Sequence, residues 1–502
     1  MRGAGLDGLG MPGALRSGGA SWARLTAALL AGCLAAPAGA ETLQDALSLA
    51  YSSNPSLLAE RAQLEATNET LPQALSNWRP TAQVTVTGGK DRVRNSQYCA
   101  PGGKETTQGF SGPTTGPVFP CGQSFGATSF PTQVTIEKLY QSTYDVTVTQ
   151  PLYRGGRTTA QTAEAYNQIS SERGHLTSVE VQVLLTVVTD YLSVIQNVET
   201  VALNKENEDI LRKQAAATET RYHGGELTHT DLYQAEAAYA EAIAQRKAAE
   251  GQLEVARAAY RHDVGAAPGD LVKPTSLPEL PATLGEAEGI AAASAPSVIQ
   301  AQYAQQAAED NVDVVRGQLL PTVVAQADFQ KTSDVSAYGE QVTSKSVIAQ
   351  GQWTVYEGGS VYSQSRQAQK AVEQRKHELD DARRAAVQNA QQSWAAFLAA
   401  RSAIKDLEHA VAANQGAMKG LEEEVRVGTR TVQDVLLQQQ SLFQAQLGLV
   451  GAQHDELLDE FTLVAAIGRL TAKNLALPVE YYDPDKHLDA VRDKWFGFQT
   501  EP

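Results

Sequence analysis

Cysteine is nearly absent, at three in 502 residues, too few for a disulfide-dense scaffold or a thiolate metal centre. Methionine is as scarce, and aromatics make up 6% of the chain against 42% hydrophobic residues in all. Such a mix favours long helices with polar faces over a thick globular core. Basic residues number 41 against 57 acidic ones, which argues against nucleic acid as a partner. The eight histidines are scattered, and the chain lacks a P-loop, a Gly-x-Ser-x-Gly elbow and a His-Glu-x-x-His helix. No enzyme activity, cofactor or metal site is expected; His223 and His229, which flank one turn, read as solvated turn residues.

Apolar runs of about 18 residues, enough to cross a bilayer as a helix, are also missing beyond the amino terminus. There, Arg16 and Arg24 precede "LTAALLAGCLAAP", which ends in the small-x-small site Ala38-Gly39-Ala40 before Glu41. Residues 1–40 read as a secretory signal peptide. Leu30-Ala31-Gly32-Cys33 leaves a second reading open, cleavage before a lipidated Cys33. Without residues 1–40 the chain carries 38 basic and 56 acidic residues, a net charge of −18. Cys99 and Cys121 share one Gly/Pro/Ser/Thr-rich segment and read either as a loop-closing disulfide or as two unpaired thiols. A membrane role, with no spanning helix to hand, must come through strands.

What the chain has is repetition. "PLYRGGRTTA" at Pro151 is echoed by "WTVYEGGSVY" at Trp353, with Gly155 and Gly156 lying 203 residues before Gly358 and Gly359. The same offset carries Gly225 onto Gly428, Thr228 onto Thr431 and Asp231 onto Asp434, while an offset of 241 carries Pro55 onto Pro296 and Pro80 onto Pro321. Two constant offsets, separated by one insertion over roughly 90–135, indicate a duplicated unit. The expected organisation is a leader (1–40), a first repeat (41–266), a linker (267–281), a second repeat (282–472) and a C-terminal tail (473–502). Each repeat reads helix, strand, strand, long helix, turn, helix.

In the strands, Val84 and Val86 alternate with Gln83, Thr85 and Thr87, and Tyr144, Val146 and Val148 with Asp145, Thr147 and Thr149. Val323, Ala325, Ala327 and Phe329 alternate likewise with Val324, Gln326, Asp328 and Gln330, and "SVIAQGQW" supplies the return strand. One apolar and one polar face fit a half-buried sheet on helices, or an outer-membrane barrel with lipid on one side and a lumen on the other. Four strands cannot close a barrel, so the second reading needs several copies of the chain.

No proline interrupts residues 157 to about 222, or 360 to about 426. A helix of that length extends roughly 100 Å. Leu184, Val188, Tyr191, Ile195 and Val198, and again Leu436, Phe443, Val450, Leu457 and Val464, follow coiled-coil spacing. The other helices, roughly 231–264 and 42–77, are about half as long, so two stacked end to end match one long one. The fold expected is mixed, mainly α: a β-barrel completed by several chains and continued by a hollow cylinder of helices.

The chain resembles the TolC family of outer-membrane efflux proteins from Glu41 to about Leu470. The most specific piece is "RVGTRTVQDVL" at Arg426, joined by "NPS" at Asn54, "LPT" at Leu320 and "VYEGG" at Val355. The resemblance implies a homotrimer in outer-membrane lipid, with a 12-stranded barrel and a periplasmic tunnel of twelve helices. It also implies a periplasmic adaptor (membrane fusion) protein and an inner-membrane ABC or proton-driven transporter as partners, for small-molecule efflux or type I secretion. Asp231, Arg430 and Asp434 fall where that family gates its periplasmic entrance, and Gly224, Gly225, Val427, Gly428, Thr429 and Arg430 fall at adaptor-docking tips. Val425 and Leu437 depart from the Tyr and second Asp of some members, which weakens the carried-over latch.

Thr228-His-Thr-Asp231 and Thr431-Val-Gln-Asp434 also fit a capping box, so helix capping alone accounts for both acids, and the two roles can coexist. Tyr153, Gly155, Gly156, Tyr356, Gly358 and Gly359 read as strand-to-helix junctions, with the tyrosines at the membrane interface. The rival from another class is a secreted or surface-anchored coiled-coil scaffold without a pore, which has no use for amphipathic strands.

Overall fold

A computed structural model of the chain describes residues 41–98, 132–274, 279–335 and 339–498. The leader 1–40 with Cys33, and the pair Cys99 and Cys121, lie outside the described residues. Helices α1 (Leu43–Ser53), α2 (Pro55–Asn68) and α3 (Thr70–Ser76) lead into strands β1 (Thr81–Tyr98) and β2 (Thr132–Arg154), then α4 (Arg157–His223) and α5 (His229–Val264). The same order follows with α6 (Leu284–Ser294), α7 (Pro296–Arg316), β3 (Thr322–Ser333), β4 (Gln341–Gln352), α8 (Ser360–Arg426) and α9 (Val432–Ala466); α10 (Pro484–Arg492) lies in the tail.

Helices α4 and α8 are 67 residues each, about 100 Å of unbroken rod. Shorter helices line up beside them in pairs. Asn54 organises the first splice: its Oδ1 accepts from the amides of Ser56 and Leu57, and its Nδ2 donates to the Asp263 carbonyl, 3.0 Å away at the end of α5. Pro55, at the first position of α2, needs no amide partner there. At the second splice, Leu463 of α9 and Ile467, just past its end, are buried with Ala291, Ala295 and Val298, where α6 meets α7.

The main core surrounds the middle of α4, where Leu184, Val187, Val188, Tyr191 and Leu192 pack with Leu253, Tyr260 and Val264 of α5 and Phe461 of α9. The linker is tied to it by hydroxyls. Tyr191 donates to the Val272 carbonyl at 2.6 Å, and Tyr260 donates to the Glu41 carboxylate. This segment corrects one expectation: α4 is long and apolar enough, by length and composition, to cross a bilayer. Its Val/Leu run is the buried heart of a helix cluster, which passes the same test.

Asp190, on α4 within this core, faces Asp263, and its Oδ2 is buried with no hydrogen-bond partner. Burial, then the hydrogen bond and the charge of Asp263, push its carboxyl up to about 7, with His262 pulling the other way. An acid raised by folding favours the protonated native state, so its stabilising influence is full below about pH 4 and is lost as pH rises towards 7. Asp190→Asn is therefore expected to raise stability at pH 8 by about 1–2 kcal/mol, after discounting for partial solvation, and to leave it unchanged near pH 4. Thermal melts at the two pH values check this; an equal shift at both contradicts it.

The sheet runs β1-β2-β3-β4, all neighbours antiparallel, with β1 and β4 as its two edges. One face carries Val84, Val86, Tyr144, Val146, Val148, Val323, Ala327, Phe329 and Val347, paired in register. Thr85, Asp145, Thr147, Gln326, Asp328 and Ser346 occupy the other. Thr147 donates to Asp328 at 2.9 Å, and Gln326 donates to the same carboxylate at 2.7 Å.

Two further expectations are corrected. Strand continues into the insertion, because residues 90–98 pair with 132–140; the loop over 90–135 is therefore shorter. The single helix over 42–77 is three, broken at Asn54 by its cap and the missing Pro55 amide, and again at Glu69. Val198, the last position of the first seam, is 46% exposed in the single chain.

The tail folds back along α2 and α3. Arg61 lies over the rings of Tyr51 and Tyr482, Arg173 pairs with Asp485 at 2.6 Å, and Arg79 donates to the Lys494 carbonyl at 2.7 Å with Trp495 beneath its guanidinium. Arg79→Ala is expected to release this end. Limited trypsin digestion should then cut at Lys486 and Arg492 several times faster than in the parent, and equal rates would show that the clamp does not hold.

Candidate functional site

Two helical turns form the tips farthest from the sheet. Between α4 and α5, Gly225 adopts φ +78°, and between α8 and α9, Gly428 adopts φ +80°, the left-handed conformation that glycine tolerates best. Gly224 has φ −73°, so the reversal does not need a glycine there. Each turn is closed by an internal ion pair, Arg221 with Glu226 at 3.0 Å and Arg430 with Glu424 at 3.0 Å. Thr429 adds two bonds to the Glu424 carbonyl, from its amide and its hydroxyl. Val427 is 70% exposed at the apex.

Both acids behind the turns cap helices. The Thr228 amide and hydroxyl donate to Asp231 at 3.0 and 2.6 Å, and the Asp231 amide returns a bond to the Thr228 hydroxyl. Thr431 and Asp434 repeat the motif at 3.0 and 2.9 Å. The Thr228 hydroxyl and amide hold the Asp231 carboxyl below its ordinary range, and the Thr431 amide and hydroxyl, with a smaller pull from the Arg430 charge, do the same for Asp434. Thr42 with Asp45 builds an identical box at the start of α1, so the device is not peculiar to the tips.

Sequence reasoning missed Glu424 and Glu226, which hold the tip arginines. Their signal was available: each lies five or six positions from its arginine, across a glycine turn. It also missed an aromatic stack on the first tip, where His229 sits edge-on between Tyr222, 5.2 Å away, and Tyr233, 4.3 Å away. Among the described residues no three of His, Cys, Asp and Glu converge as a metal site.

At the opposite end, Gly155 and Gly156 adopt φ +66° and +73°, and Gly358 and Gly359 +63° and +86°. Gly156 and Gly359 occupy the cap positions of α4 and α8. Gly155 faces Gly317 so closely that an added Cβ would lie 2.3 Å from the Gly317 carbonyl oxygen, whereas one at Gly358 would meet nothing within 4 Å. Tyr153 and Tyr356 are both exposed beside these junctions, as are Trp78 and Trp353.

A family model described as outer membrane efflux protein matches residues 46–266 and 289–469. The chain belongs to the outer membrane efflux protein family. It is 31% identical over 463 residues to the outer membrane efflux protein BepC of Brucella suis, covering 92% of each chain. To the outer membrane protein TolC of Escherichia coli it is 25% identical over 311 residues, 58% of this chain and 62% of that one. Among solved structures, the CmeC outer membrane channel of Campylobacter jejuni superposes with a TM-score of 0.69 at 13% identity, covering 97% of this chain and 98% of that one.

As an outer membrane efflux protein, the chain is an outer-membrane exit duct for efflux or secretion, with a helical extension into the periplasm. The apolar face of the sheet is then its lipid face and the polar face its lumen. The tips of α4/α5 and α8/α9 lie at the far end of the helices from the sheet, and the glycine junctions lie where strand gives way to helix.

Proposed function

We propose that three copies of the chain build one passive duct, a 12-stranded barrel continued by a tunnel of twelve helical columns. The observation that carries this is the four-stranded sheet with two open edges, β1 and β4. Closed barrels begin at about eight strands, so β1 of one copy pairs with β4 of the next. Each chain contributes four columns: α4, α8, and the spliced pairs α5 with α2 and α9 with α7. The equal element order supports a duplicated unit, 41–266 and 282–472, joined by 267–281, with 1–40 as a cleaved leader.

The duct catalyses no reaction, and transport energy comes from an inner-membrane transporter, ABC or proton-driven, coupled through a periplasmic adaptor. Asp231, Arg430 and Asp434 serve at the entrance, where Arg430, held in the single chain by Glu424 of its own turn, exchanges that partner for an acid of the neighbouring helix pair, and the acids favour cations. Gly224, Gly225, Val427, Gly428 and Thr429 present the exposed tips on which adaptor hairpins dock. A cysteine placed at Thr429 and crosslinked in intact cells tests this directly. Recovery of an adaptor with either transporter class supports the reading and names the cargo route; recovery of neither removes the docking role.

A further inference from the structure

Charge on the four strands is sorted by face. Lys90, Arg92, Lys138, Lys331 and Lys345 occupy register positions on the apolar, lipid-facing side: Lys90 is paired with Tyr140, Arg92 with Lys138, Lys331 with Tyr144, and Lys345 with Phe329. Asp91, Asp145 and Asp328 occupy the lumenal rows. Arg154, on the lumenal row beside Thr322 at the base of β2, is the exception. All five outward cations are exposed, and among the described residues none has a carboxylate partner. Like charges are even placed directly opposite each other at Arg92 and Lys138, which costs stability unless an anion lies between them.

Their height matters as much as their sign. Lys90 lies nine residues beyond Thr81, and Lys331 nine beyond Thr322, which is roughly 30 Å along a strand. With a tilt of about 40° that is roughly 23 Å above the barrel base, the upper border of an apolar band about 25 Å tall; Lys345, opposite Phe329, lies two residues lower, and Arg92 with Lys138 two residues higher. Below the cations the same rows are apolar: Val84, Val86, Val148, Ala327 and Val347. The Lys90 ammonium lies 5.5 Å from the Tyr140 ring, and the Lys345 ammonium 5.7 Å from the Phe329 ring. These aromatic contacts orient the two lysines against the wall.

We propose that Lys90, Arg92, Lys138, Lys331 and Lys345 form a basic collar that binds the phosphate groups of anionic glycolipid in the outer leaflet. Charge complementarity and height select this occupant. A lumenal cargo cannot reach the outward face, and a zwitterionic lipid gains little from five exposed cations. In a closed barrel the collar recurs with every copy of the chain.

The test uses the full chain purified as its native oligomer, incubated with bisphosphorylated lipid A or with phosphatidylethanolamine, and weighed by native mass spectrometry. The parent is expected to retain lipid A, and the triple variant Lys90→Gln, Lys331→Gln, Lys345→Gln to retain at least tenfold less, with phosphatidylethanolamine unaffected. The triple lysine-to-arginine variant should restore retention, and Lys345→Gln alone should lose an intermediate amount should the triple variant assemble poorly. Equal lipid A retention by parent and glutamine variants overturns the proposal, as does an equal loss of both lipids. Conductance of the same samples is expected to be unchanged, so a fault in the duct reading and a fault in the collar are told apart.

Discussion

Gly155→Ala is expected to abolish assembly of the duct, whereas Gly358→Ala, at the equivalent position of the second repeat, is expected to leave it largely intact. Both residues have positive φ, and a left-handed alanine costs about 1–2 kcal/mol. That cost is all Gly358 has within one chain. At Gly155 the new methyl carbon would also lie 2.3 Å from the Gly317 carbonyl oxygen and 2.9 Å from the Leu320 Cβ. Neither neighbour is a flexible side-chain end, so β2 and the start of α4 must move away from the turn before β3. Overpacking of this kind costs about 1–3 kcal/mol or more on top of the backbone strain. Gel mobility of unheated outer-membrane extracts reads the result: no oligomer band for Gly155→Ala, a near-parental band for Gly358→Ala. Equal behaviour of the two would mean that the close approach of Gly155 to Gly317 does not exist.

Arg430→Ala is expected to raise single-channel conductance severalfold, because the proposed entrance latch loses its guanidinium. The structure lets this be separated from capping. Thr431→Val removes the hydroxyl that the Asp434 amide bonds at 3.3 Å, and loss of such a cap costs about 1 kcal/mol of helix stability. It leaves Arg430 and Glu424 in place. A latch predicts that Arg430→Ala opens the pore and Thr431→Val only lowers the melting temperature. If the acids and Arg430 serve the helix ends alone, neither variant changes conductance. Arg430 is half exposed on its own tip and bound there to Glu424, so Glu424→Gln should shift the open probability as well, by freeing the arginine to move.

Much of the fold was legible because its signals are periodic. The absence of proline gave α4 and α8 almost to the residue, and alternation gave the lipid and lumen faces of β1 to β4. The repeated order of elements follows from glycines and prolines at constant offsets. What could not be read were the places where the two repeats differ in three dimensions. The Tyr-Gly-Gly stretches look equivalent, yet only Gly155 is pressed against another backbone, and that contact is set by Gly317, 162 positions away. The splices at Asn54 and Ile467 depend on which helix ends meet. At the tips, Asp231 and Asp434 were read both as caps and as gate acids; the caps are visible in the hydrogen bonds of one chain, whereas a gate is a property of several chains together. The tip ion pairs bridge residues five and six positions apart across a glycine turn, outside the three- and four-residue spacing that marks pairs along a helix.

The central claim is that this chain forms a gated, cation-favouring duct through a membrane. Purified oligomer in a planar bilayer under a salt gradient measures it most directly. The account predicts discrete current steps with a reversal potential on the cation side, set by the lumenal Asp91, Asp145 and Asp328 and the acids at the tips. Folded oligomer that inserts without discrete steps, or that reverses on the anion side, would contradict it.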